Sequence, residues 1–87
     1  MKIDLELYVV TEAFLTETGQ LRGKTHSVHL GFESASISLM SQVNLLRQDN
    51  PEVFIKHKCT DYANDVFLEV AVADDSGFQG LYQVTKF

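Results

Sequence analysis

The chain has 87 residues, one cysteine and a net charge of −5 from twelve acidic and seven basic side chains. That length allows one domain with one core. The bases Lys2, Arg22, Lys24, Arg47, Lys56, Lys58 and Lys86 are scattered, which argues against direct nucleic-acid binding because phosphates are neutralised by clustered cations.

No apolar run approaches the ~20 residues of a membrane span, and the opening Met-Lys-Ile-Asp-Leu-Glu lacks the apolar stretch of a leader. The lone Cys59 has no internal partner for a disulfide, so a reducing, cytoplasmic setting is expected.

The chain begins with a period of two. Ile3, Leu5, Leu7, Val9, Thr11, Ala13 and Leu15 are apolar or small, while the positions between them are mostly polar or aromatic. This pattern predicts a long strand over residues 2–16 that curls, breaks at a bulge near Thr11 or projects from the body. A glycine-containing loop at 16–20 leads into a second strand with His26, Val28, Leu30 and Phe32 on one face, forming an antiparallel ribbon.

Ser34 then reads as the N-cap of a helix over 35–48. Ala35, Leu39, Met40, Val43 and Leu46 form the stripe that meets the sheet, and Ile37 and Leu45 fall outside it. Pro51 ends the helix. Further strands are predicted at 53–59, around 66–72 and at 78–86, with turns at 60–64 and 74–77. The expected fold is α+β, a curled antiparallel sheet of about five strands in the order ββαβββ, with one helix on one face.

One helix covers one face only. With Ile3, Leu5, Leu7, Val9, Val28, Leu30, Val66, Leu68, Val70 and Val72 assigned to the covered face, the other carries Tyr8, Val10, Phe14, Phe54, Phe67 and Ala71. Exposed sheet faces are usually polar, so this composition predicts a homodimer. Tyr8, Phe14, Phe54 and Phe67 are the expected contact anchors, and Ile37 and Leu45 offer a second contact to a protein partner.

Chemical motifs are weak. Gly19 to Thr25 has one residue too few between its glycines for a phosphate-binding loop and leads into a strand rather than a helix. His26 and His29, three apart, point to opposite faces of a regular strand. His57, Cys59 and Asp61 share a face if the strand runs through them and are all zinc-ligand types, but Val53 and Ile55 on that face favour a core strand and no metal.

Asp74 to Gly77 lacks the remaining oxygen ligands of a calcium loop. Asp61, Tyr62, Asp65, His57 and His29 are the titratable candidates for catalysis, without a diagnostic spacing. The sequence thus predicts a small acidic, non-catalytic, homo-oligomeric interaction module without a cofactor. Its alternatives are a small-molecule binder or minor enzyme with an apolar pocket on the sheet, and an acidic inhibitor of a nucleic-acid-binding protein.

Overall fold

The computed structural model describes residues 6–16 and 18–87. The elements are β1 (Tyr8–Leu15), β2 (Leu21–His29), α1 (Phe32–Asp49), β3 (Phe54–Asp61), a short 3-10 turn (Tyr62–Asn64), β4 (Val66–Ala73) and β5 (Gln79–Lys86). All five strands join one antiparallel sheet in the order β2-β1-β5-β4-β3, with α1 lying over β1, β2 and β5. The fold is therefore α+β, as the hydrophobic patterning requires. Ile3 and Leu5 lie outside the described residues.

The helix forms where its apolar stripe demands. Ala35, Leu39 and Val43 are buried, and Met40 and Leu46 pack against the same core. It starts earlier than the capping residue suggested. Gly31 is the N-cap, and Ser34 stands within the first turn, where its hydroxyl meets His29 Nδ1 at 2.8 Å. Aromatic packing accompanies the earlier start: Phe32, 38% exposed, holds its ring 6.0 Å from that of Tyr8 and 6.1 Å from that of Phe67. At the other end the backbone and side-chain nitrogens of Asn50 both donate to the Leu46 carbonyl, just before Pro51.

The face assignment of β1 is corrected. Tyr8, Val10 and Glu12 are buried beneath the helix together with Leu68, Val70, Val72, Tyr82 and Val84, whereas Val9, Ala13 and Leu15 lie on the opposite face. Both parities of β1 are largely apolar, and the even set, expected on the uncovered face, includes Glu12. In the fold that carboxylate is buried but partnered, by the His26 ring and by the hydroxyl of Tyr82, whose own ring stacks on His26. A satisfied acid is compatible with the core, so volume decided the face.

Bulges change which way several side chains point. Val10 pairs with Ser27 and Thr11 with Thr25, so His26 is an extra residue in β2 and turns inward to Glu12, while Val28 is 56% exposed. The irregularity expected near Thr11 thus falls on its partner strand. A second bulge at Phe67, between the pairs Val66–Thr85 and Leu68–Val84, brings that ring within 5.3 Å of Tyr8.

Gly80 marks a close approach. An added Cβ would stand 2.9 Å from Val72 Cγ2 and 3.1 Å from the Phe14 ring, so the absent side chain is what admits Phe14 to the core.

Candidate functional site on the helix-free face

The pairing registers place the residues of the uncovered face in rows across the sheet. One row reads Leu21, Leu15, Gln79, Ala73, Phe54, and the next Gly23, Ala13, Leu81, Ala71, His57. Leu21 is 77% exposed, Phe54 45% and Leu15 37%. Beside Leu15 and Leu21 lies a shallow cavity of about 310 Å³, also bordered by Leu81 and His57.

The third row is entirely polar: Thr25, Thr11, Gln83, Glu69, Cys59. Its β3 end carries a connected cluster. His57 Nε2 stands 2.9 Å from Glu69 Oε2, the Cys59 thiol donates to the same oxygen at 3.5 Å, and Gln83 Nε2 donates to Glu69 Oε1 at 2.7 Å. These bonds hold the Glu69 carboxyl below its ordinary value, the Gln83 bond contributing most and the His57 bond next. The Cys59 thiol is held above its ordinary value, first by desolvation around the sulfur and then by the neighbouring Glu69 carboxylate.

The backbone of β3 explains the cluster. Ile55 pairs with Val72 and His57 with Ala71, leaving Lys56 as an extra residue. This bulge moves His57 and Cys59 off the face of Ile55, which packs on the core, and onto the helix-free face, where both are exposed. The core-strand reading of these two residues is therefore corrected. Asp61 lies beyond the next register shift, where the extra residue is Phe67 on β4; it pairs with Val66 and accepts a bond from Asn64 Nδ2 at 2.7 Å. Glu69 takes the place that the sequence spacing assigned to Asp61. Its sequence trace is plain in retrospect, since Glu69 is the one charged residue in the strand Val66–Ala73.

The predicted contact residues divide. Tyr8 is buried, and Phe14 and Phe67 pack against the core, so they support α1 rather than an outer face. Phe54 stays on the uncovered face. Ile37 and Leu45 are 66% and 52% exposed on the outer side of α1.

Of the other candidates, His29 is engaged with Ser27 and Ser34, and His26 with Glu12, so the two imidazoles serve separate networks. Tyr62 stacks edge-on against Phe67, and Asp65 takes a left-handed conformation after the 3-10 turn. The Asp74 carboxylate is used by its own turn, accepting from Ser76 and from the Phe78 amide. Among the described residues no helix is long and apolar enough to cross a membrane.

The chain matches no protein-family model, no curated protein and no solved structure.

Proposed function

We propose that the chain is a non-catalytic, homo-oligomeric interaction module of the cytoplasm that pairs with a second copy of itself through the helix-free face. The observation that carries this reading is the pair of largely apolar rows running across all five strands on the face that α1 leaves bare. Leu15, Leu21 and Phe54 are the anchors, with Leu81 and Ala71 between them.

Size supports it. At about 4.8 Å between strands and 3.3 Å per residue, five strands of eight residues present a face of roughly 600 Å² before side-chain relief, the same order as the ~800 Å² per partner of a standard interface. Two sheets stacked at about 10 Å would interdigitate these side chains as sandwich cores do. The lone exposed thiol of Cys59 suits a reducing compartment.

Light scattering across a concentration range tests the reading, with the double variant Leu15→Glu, Leu21→Glu beside the parent. The parent is expected at about twice the chain mass of 9.8 kDa and the variant at one chain mass with an unchanged circular dichroism spectrum. A parent that stays monomeric throughout overturns the proposal. So does a parent dimer that the double variant leaves intact.

A further inference from the structure

The geometry points to a divalent metal site of zinc type formed by His57, Cys59 and Glu69, on the same face as the apolar rows and sharing only His57 with them. Imidazole nitrogen, thiolate sulfur and carboxylate oxygen are the three donor types that borderline-soft zinc accepts, and three protein ligands leave one position for water. The donor atoms all lie within 4.8 Å of one another.

Two of their three separations are close to the edges of a tetrahedron. Bonds of about 2.05 Å to nitrogen and oxygen and about 2.3 Å to sulfur set edges of about 3.3 Å for N to O and about 3.6 Å for S to O. The corresponding separations are 2.9 Å for His57 Nε2 to Glu69 Oε2 and 3.5 Å for Cys59 Sγ to Glu69 Oε2. The three donors converge on one region without any change of strand register.

Two features orient the set in advance. The bulge at Lys56 places His57 and Cys59 on neighbouring positions of one face, opposite Ala71 and Glu69. Gln83, by donating to Glu69 Oε1, leaves Oε2 facing the other two ligands, which is the outer-shell role that fixes a metal-binding carboxylate. Coordination forms one bond each to Nε2, Sγ and Oε2; the thiol proton leaves to solvent, and the imidazole binds as its Nδ1–H tautomer.

Titration of the reduced protein with Co²⁺, followed by absorption, provides the test, because thiolate-to-cobalt charge transfer reports the sulfur ligand directly. The expected result is one cobalt per chain with a charge-transfer band that Zn²⁺ abolishes. Cys59→Ser loses the band, His57→Ala weakens binding by about tenfold or more, and the positioning variant Gln83→Ala weakens it by about tenfold. Asp61→Asn binds as the parent does.

The Leu15→Glu, Leu21→Glu variant keeps the metal site whatever its oligomeric state, which separates this proposal from the dimer. Each variant is compared with the parent by circular dichroism, and the altered side chains lie on the exposed face. Absence of the band in the folded parent overturns the proposal, as does a band that survives in Cys59→Ser.

Discussion

Glu12 is the residue on which the core turns. It is 8% exposed; of its partners, Tyr82 is buried and His26 partly buried. Glu12→Ala strips an acceptor from the buried Tyr82 and the partly buried His26 and is expected to cost about 3 kcal/mol in urea denaturation. Tyr82 also makes an alkaline prediction. Burial first, and the Glu12 carboxylate second, raise its pKa well above the ordinary 10.0, so the folded chain keeps the phenol neutral. That contribution is complete below pH 10 and is lost as pH rises beyond it, because only the unfolded chain ionises freely. Tyr82→Phe should flatten the fall in stability above pH 10.

Glu69 has the opposite sign. Its carboxyl is held below the ordinary 4.5 by Gln83 and His57, so its contribution is present above that value and fades as pH falls. Denaturation curves for Gln83→Ala should differ from those of the parent near neutrality and converge with them in acid.

At the scale of elements, α1 and the β1–β5 pair carry the packing. Leu39 is fully buried at the centre of the helix stripe, and Leu39→Ala should cost about 3 kcal/mol by leaving a cavity against the sheet. Gly80→Ala adds only one methyl group but drives it into Val72 and Phe14; a loss of about 1 to 3 kcal/mol is expected in thermal or urea unfolding. Both variants leave the helix-free face untouched. The elements themselves were legible because each turn carries its own chemistry: Gly19 at positive φ, Asp74 accepting from Ser76 and Phe78, and Asn50 ahead of Pro51.

For the whole molecule, a five-stranded sheet with one helix is an unfinished sandwich. Its edges, β2 and β3, and its uncovered face offer pairing surfaces that a sheet leaves open until something covers them. The polar row from Thr25 to Cys59 divides that face, with Val28, Val9 and Val66 beyond it, and a partner copy would seat over Leu15, Leu21 and Phe54 at the other end.

The sequence by itself determined the number, kind and order of the elements and the buried stripe of α1, because period and turn chemistry are local properties. It also marked His57 and Cys59 as unusual neighbours. Tertiary structure alone decided three things: the β2-β1-β5-β4-β3 order, the face of β1 that meets the helix, and the bulges at His26, Lys56 and Phe67. A strand with two apolar faces carries no local instruction about which one is covered. A bulge exists only in the pairing of two strands, and a shift of one residue exchanges the faces. For that reason Glu69, distant in the chain, rather than Asp61 completes the cluster on the open face.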